Sequence, residues 1–152
     1  MIQSLTARRC TSWAAAIMTA LFISLAPAAP ALAHAIDAYV DLSNQRMDVV
    51  VNGRHYASWV ISSGRKGYRT PTGSYRPKRL RRMHYSSQYD NAPMPHSIFF
   101  HHGYAIHGTD KAHELGRPAS HGCVRLHPSH AAELYALVMQ YGRANTRIHV
   151  SY

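Results

Sequence analysis

Apolar positions fall into two regimes along this chain. The first is a continuous block: Trp13 to Ala26 is interrupted by little more than Thr19 and Ser24. It is shorter than the roughly 20 apolar residues that a spanning helix needs. From residue 36 the apolar residues come instead in short runs punctuated by turn chemistry. Ile36 to Leu42 alternates weakly and predicts a strand, and Ser43-Asn44-Gln45 predicts a turn. Met47 to Val51 is β-branched and apolar, a second strand. Asn52-Gly53 is a two-residue hairpin signal, and Arg54 to Ser62 carries Tyr56, Trp59, Val60 and Ile61 as a third strand. Three antiparallel strands in succession predict a β-meander opening a mostly β domain.

The pattern then loosens. Ser62-Ser63-Gly64 ends the third strand, and Lys66-Gly67 and Thr70-Pro71-Thr72-Gly73 are loop sequences. Gly73 to Lys78 predicts a short strand at a sheet edge, because Pro77 has no amide to donate. Met83 to Pro95 is rich in Tyr, Ser and Pro without a period. It predicts a long flap, and loops of that length are often functional. Ser97 to His101 is a compact apolar strand, Gly103 a turn, and Tyr104 to His107 another strand. Asp110 to Pro118 is a polar loop, and Val124 to Leu126 is extended. Ala131, Leu134, Tyr135 and Val138 recur at helical spacing. With Pro128 at the first position and Gly142 past the end, they predict one main helix over about 128–141. Thr146 to Val150 is a final strand. There is no internal repeat.

The N-terminal block changes what counts as the working protein. Arg8 and Arg9 precede it, Pro27 and Pro30 follow, and Ala31-Leu32-Ala33 offers a small-residue cleavage site. Residues 1–33 are therefore expected to be a signal peptide cleaved near Ala33. That leaves a single domain, 34–152, in the periplasm, with no stable membrane span and no room for a separate wall-binding domain. Losing Arg8 and Arg9 leaves 15 basic against seven acidic residues, a net charge of +8 with histidines neutral. Such a surplus favours anionic partners such as wall polymer, lipid headgroups or acidic proteins, and export argues against nucleic acid. Five of the seven residues from Arg76 to Arg82 are basic. They form either a solvated loop or an anion-binding lip.

Export also sharpens the cysteine count. Cys10 leaves with the leader, so Cys123 is the sole remaining thiol, flanked by histidine and glycine. A lone cysteine in an exported chain points to a reactive thiol or an intermolecular bridge. A small buried hydrophobe is the alternative. A thiol attacks as thiolate, which calls for a nearby base, usually histidine. His107, His113 and His121 are near in sequence. His121 lies two positions before Cys123, and His107 ends a predicted strand, a rigid place for a base. A third group must fix the imidazole tautomer. Asp110 and Glu114 lie in the loop and are not obviously placed for this, whereas a backbone carbonyl would serve. Amides around Gly122-Cys123 would converge on an oxyanion. His101-His102, His113, or His121 with Cys123 do not reproduce zinc-ligand spacing, so no metal and no cofactor are expected.

The stretch from Tyr104 to Leu126 also resembles a known family, the L,D-transpeptidases of bacterial cell walls (the YkuD domain). Their pattern of His-Gly, a gap, then Ser/Thr-His-Gly-Cys with Arg or Asn two residues on reads here as His107-Gly108, then Ser120-His121-Gly122-Cys123-Val124-Arg125. Thr70-Pro71-Thr72-Gly73-Ser74-Tyr75, Met94-Pro95, Phe99-Phe100 and Ala105-Ile106 extend the likeness over Ile36 to Val150. The resemblance implies a β-sandwich of mixed sheets with one helix alongside. It implies Cys123 as the acyl-accepting nucleophile, His107 as base and the Gly108 carbonyl as its orienting group. Ser120, His121, Gly122 and Arg125 would shape the substrate site, with the Gly122 and Cys123 amides as the oxyanion hole. The implied partners are peptidoglycan stem peptides, with a second stem, a free D-amino acid, an acidic outer-membrane or other envelope protein, or water as acceptor. Two other classes compete. A papain-like wall hydrolase usually places cysteine before histidine, the reverse of the order here. A non-enzymatic basic envelope protein explains the charge but not Ser120 to Arg125.

Overall fold

The computed structural model describes residues 35–152; the expected leader, 1–33, lies outside the described residues. Strand β1 (Ile36–Asp41) and strand β2 (Arg46–Val51) pair antiparallel, and β2 pairs antiparallel with β3 (Arg54–Val60). The Asn52-Gly53 turn has positive φ at both residues, 50° and 76°. That is the mirror-image turn whose twist suits a two-residue hairpin. At the other turn Asn44 donates its amide and side chain to the Asp41 carboxylate. Alternate residues Ile36, Ala38, Val40, Met47 and Val49 are buried, as period-two patterning requires.

The C-terminal strand β9 (Thr146–Ser151) inserts beside β1 in parallel, and its far side pairs antiparallel with β4 (Gly73–Tyr75). The order β3-β2-β1-β9-β4 puts β4 at an edge, as Pro77 suggested. A second sheet of order β5-β6-β7-β8 contains β5 (Arg79–Arg81), β6 (Ser97–His101), β7 (Tyr104–Gly108) and β8 (Val124–Leu126). Here β7 and β8 run parallel. One core joins the inner faces: Ile36, Val40, Val49 and Ile148 from the first sheet, and Ile98, Phe100, Ile106, Val124 and Leu126 from the second. Helix α1 (Pro128–Tyr141) adds Ala131, Leu134 and Val138 to it and packs chiefly on β7. The domain is thus mainly β, with two mixed sheets and one main helix.

Three segments differ from their sequence reading. The basic run is not wholly loop: Arg79–Arg81 pairs with β6, with Arg79 and Arg81 exposed and Leu80 half-buried. Three residues give a period-two pattern too little length to stand out against charge. The expected flap is a narrow hairpin. Within it His84 and Met94 exchange both backbone bonds, and the chain reverses at Asp90-Asn91, both at positive φ. The third strand stops at Val60, because the chain leaves the first sheet there. Ser62 then exchanges two backbone hydrogen bonds with Arg125 of β8, at 3.0 and 2.8 Å.

Candidate active site

The same crossing segment builds the cysteine turn. The Ser63 carbonyl accepts the amides of Ala119 and Ser120, both at 2.9 Å, and the Arg65 amide donates to the Ser120 carbonyl at 3.0 Å. Ser63 is itself clamped by Gln45, whose Oε1 accepts the Ser63 amide and whose Nε2 donates to Ser63 Oγ. Thr70, from the Thr-Pro-Thr-Gly segment, donates its hydroxyl to the Gly122 carbonyl at 2.9 Å and accepts the Gly64 amide. Inside the turn Ser120 Oγ donates to the Cys123 carbonyl at 2.6 Å and accepts the Gly122 amide at 3.0 Å. Gly122 sits at φ +110°, and a Cβ there would lie 2.4 Å from the Tyr104 ring. The position therefore requires glycine for conformation and for space.

Strand alternation turns the chemistry outward from the core. Ile106 of β7 is opposite Val124 of β8, and both are core residues. Their neighbours His107 and Arg125 are paired in register and face the other way, together with Cys123, two residues before Arg125. All three line a cleft of about 340 Å³, with His121, Asp110 and Lys111. The 83–95 hairpin forms the opposite wall through Tyr89, Met94 and neighbours. A smaller hollow of about 250 Å³ opens on Cys123 from the side of Tyr104 and Gln88.

His107 is 6% exposed, with Nδ1 2.7 Å from the Gly108 carbonyl. A carbonyl only accepts, so Nδ1 carries the proton, and the neutral ring presents a lone pair on Nε2. Burial, reinforced by the Arg125 charge against the Gly108 bond, pushes the His107 pKa from 6.5 down to about 4. Burial pushes the Cys123 thiol up, opposed by a backbone hydrogen bond from Ala105 and by the Arg125 charge. Both shifts disfavour the charged forms and so oppose a standing thiolate–imidazolium pair.

His121 also lines the cleft, but its Nε2 lies 2.7 Å from the Arg65 guanidinium. Arginine only donates, so that lone pair is taken. Its ring stacks on Tyr89 at 4.1 Å and meets Tyr68 edge-on at 4.7 Å. Burial, and then Arg65, lowers its pKa. His113 is exposed in a short 3-10 turn, Ala112–Glu114, and does not line the cleft. Ser120 is almost wholly buried, its hydroxyl engaged within the turn. The Gly122 amide is committed to that hydroxyl, so of the two amides expected at an oxyanion only that of Cys123 is without such a commitment. Arg125 is held by Glu114 at 2.7 Å, and Glu114 also pairs with Arg117 at 3.7 Å. Sequence reasoning missed Glu114, Thr70 and Gln45 as parts of this assembly. For Thr70 a signal existed in the Thr-Pro-x-Gly segment; for the other two there was none. Among the described residues no group of three His, Cys, Asp or Glu side chains is placed to hold a metal.

The sequence profile of YkuD, the L,D-transpeptidase catalytic domain, matches residues 36–150. Among solved structures the chain is similar to an L,D-transpeptidase from Stackebrandtia nassauensis. The two are 28% identical with TM-score 0.68, over 78% of this chain and 56% of that one. It is also similar to an L,D-transpeptidase from Xylanimonas cellulosilytica, at 27% identity and TM-score 0.66, over 78% and 61%. An L,D-transpeptidase from Mycobacterium tuberculosis, 21% identical, shares the fold at TM-score 0.70 over 78% and 58%. The chain spans about three-fifths of the length of these structures. No curated protein matches it.

Proposed function

The chain belongs to the YkuD family of L,D-transpeptidase catalytic domains, and from that premise we propose that it is a cysteine-dependent acyltransferase acting on peptidoglycan stem peptides in the periplasm. The observation that carries the reading is the convergence of Cys123 and His107 on one cleft, with the His107 tautomer fixed by the Gly108 carbonyl. Cys123 Sγ attacks the carbonyl carbon at the L-centre of the stem's diamino acid as its proton passes to His107 Nε2. The Cys123 amide faces the developing oxyanion. The imidazolium returns the proton to the departing amine, the C–N bond breaks, and D-alanine leaves behind a thioester. An acceptor amine then loses a proton to His107, forms the new amide bond and releases the thiol.

Burial of the two partners supports this order of events. Burial disfavours the charged form of each group, so proton transfer to His107 is coupled to the attack of the sulfur on an electrophile. Two hollows meeting at Cys123 suit a donor and an acceptor. Arg125, anchored by Glu114, supplies positive charge next to the reacting atoms, and His121 shapes the wall with Tyr68 and Tyr89. The acceptor is an amine of another stem, of a free D-amino acid or of an envelope protein with an acidic surface; water in its place gives an L,D-carboxypeptidase. Among the described residues no helix is long and apolar enough to cross a membrane.

Intact-mass measurement of the full chain with a purified tetrapeptide stem is the test. A covalent adduct with loss of D-alanine, absent in Cys123→Ala, is expected. No adduct with any stem peptide would leave the binding-protein reading in its place.

A further inference from the structure

Seven carboxylates face 17 basic residues in this chain. Five have a partner: Asp37 with His149, Asp41 with Asn44, Asp48 with Ser58, Glu114 with Arg125, and Glu133 with Tyr56. Of the other two, Asp90 lies at the reversal of the hairpin. Asp110 is the only carboxylate lining the cleft, and among the described residues it enters no side-chain hydrogen bond and no ion pair. An unpaired carboxylate that lines the same cleft as the thiol, in so basic a protein, has no structural task to explain it.

Its placement is rigid. Gly108 donates its amide to the Pro95 carbonyl at 2.9 Å, and the buried Thr109 donates its amide to Leu126 at 3.0 Å. Thr109 Oγ1 then accepts the Lys111 amide at 3.1 Å. Asp110 is thus presented by a fixed turn three residues beyond His107, close enough for its charge to act on that ring. Lys111 lines the same cleft. Adjacent side chains of opposite charge, neither neutralised within the protein, complement a ligand group carrying both charges on neighbouring atoms. An α-amino-acid head group, with ammonium and carboxylate on one carbon, is such a group.

We propose that Asp110 and Lys111 form a clamp for the free amino-acid head group at the far end of the donor's diamino acid, Asp110 taking the ammonium and Lys111 the carboxylate. The inference rests on reading the cleft as a stem-peptide site and deepens it by naming a specificity. Diamino acids of the diaminopimelate type carry this head group; lysine and ornithine have the ammonium alone. A donor whose distal ammonium is already acylated in a cross-link, or whose distal carboxylate is amidated, loses one half of the clamp.

The test reads binding in the full chain carrying Cys123→Ala, so that no turnover intervenes. Four synthetic tetrapeptide stems are titrated by calorimetry: head group free, N-acetylated, amidated at its carboxylate, and both. Adding Asp110→Asn is expected to weaken the free peptide about fivefold, the scale of an accessible ion pair, and to leave the N-acetylated peptide unchanged. Lys111→Gln should weaken the free peptide similarly and spare the amidated one. Equal losses on all four peptides, no loss on any, or failure of every peptide to bind would overturn the clamp. An Asp110→Asn effect seen only with a free D-amino acid as ligand would place the head group on the acceptor and overturn the donor assignment. Absence of an acyl-enzyme in the unmodified protein defeats the transpeptidase reading but leaves this binding pattern intact, so the two failures are distinguishable.

Discussion

Among the described residues several clusters place a histidine near a potential nucleophile, His55 with Ser58 and His127 with Ser129 included. Those of His149 and of His107 stand in the sharpest contrast. On the outer face of the five-stranded sheet, His149 contacts Ser74 Oγ through Nδ1 and Asp37 through Nε2, each at 3.0 Å. Its composition, serine, histidine and aspartate in a chain of hydrogen bonds, is that of a hydrolytic triad. Yet Ser74 is exposed and the cluster lines neither hollow described above. On the four-stranded sheet His107 has no carboxylate partner, only a carbonyl. It lies inside a cleft, where burial moves both its pKa and that of Cys123. The difference teaches that residue identity and hydrogen-bond connectivity are weaker indicators of a site than desolvation at a concave surface.

The largest test of that contrast is removal of each nucleophile. Cys123→Ala should lower transfer from a tetrapeptide donor by about a thousandfold or more, while Ser74→Ala stays within about twofold. Product analysis with circular dichroism as a fold control decides it; a surviving activity in Cys123→Ala would reverse the ranking of the two clusters.

The bases come next. His107→Gln should slow turnover by about a hundredfold, in the range for loss of a general base, and slow alkylation of Cys123 by iodoacetamide near pH 7. His149→Gln should change neither. Titration adds a sign. Folded His107 has its pKa at about 4, below the 6.5 of the exposed ring. The unfolded chain therefore binds the proton more readily, and stability is lost as pH falls from about 6.5 towards 4. A drop of that size corresponds to roughly 3 kcal/mol. Urea unfolding at pH 7 and pH 4.5 should show this loss, reduced in His107→Gln; an unchanged pH slope in the variant would assign the loss to other groups.

A third expectation concerns the turn that holds the thiol. Gly122→Ala meets the Tyr104 ring and a positive φ together, and should cost about 1–3 kcal/mol by denaturant unfolding. Gly53→Ala, at positive φ but with nothing within 4 Å, should cost about 1 kcal/mol. Equal costs would mean that the ring yields freely.

The smallest effect on chemistry belongs to the basic run from Arg76 to Arg82. Glutamine at Arg76, Arg81 and Arg82 should weaken binding to isolated sacculi at low salt. The difference should fade as the screening length drops from about 10 Å at 0.1 M to about 3 Å at 1 M. Acylation by a small donor should barely change. Equal binding at low salt would reduce the run to a solvated edge.

What the sequence made legible follows the reach of each interaction. The first hairpin, the helix and the apolar strands are written in neighbouring residues, and they appear where the pattern puts them. Cys123 and His107 were singled out by a lone thiol and a strand-end imidazole. The motif reading fixed their company. The braces were not legible because they are long-range. Gln45 is 18 residues from Ser63, and Thr70 is 52 from Gly122. In sequence Glu114 reads as a loop carboxylate, but the loop folds back to bring it to Arg125. Ser120 is a case where the motif marks a residue whose hydroxyl serves the backbone of the turn.

The position of β9 ties the end of the sequence to the segment that carries Thr70. In the five-stranded sheet β4 has β9 as its sole neighbour, and β4 begins three residues after Thr70, the side chain that pins the Gly122 carbonyl. In this sheet β4 therefore has a strand to pair with only when residues 146–151 lie beside β1. Pairings of this sequence separation are slow to form. A chain lacking residues 146–151 would still carry the thiol and the imidazole but would leave β4 without its partner in this sheet. The C-terminal strand is thus what closes the sheet edge next to the Thr70 brace.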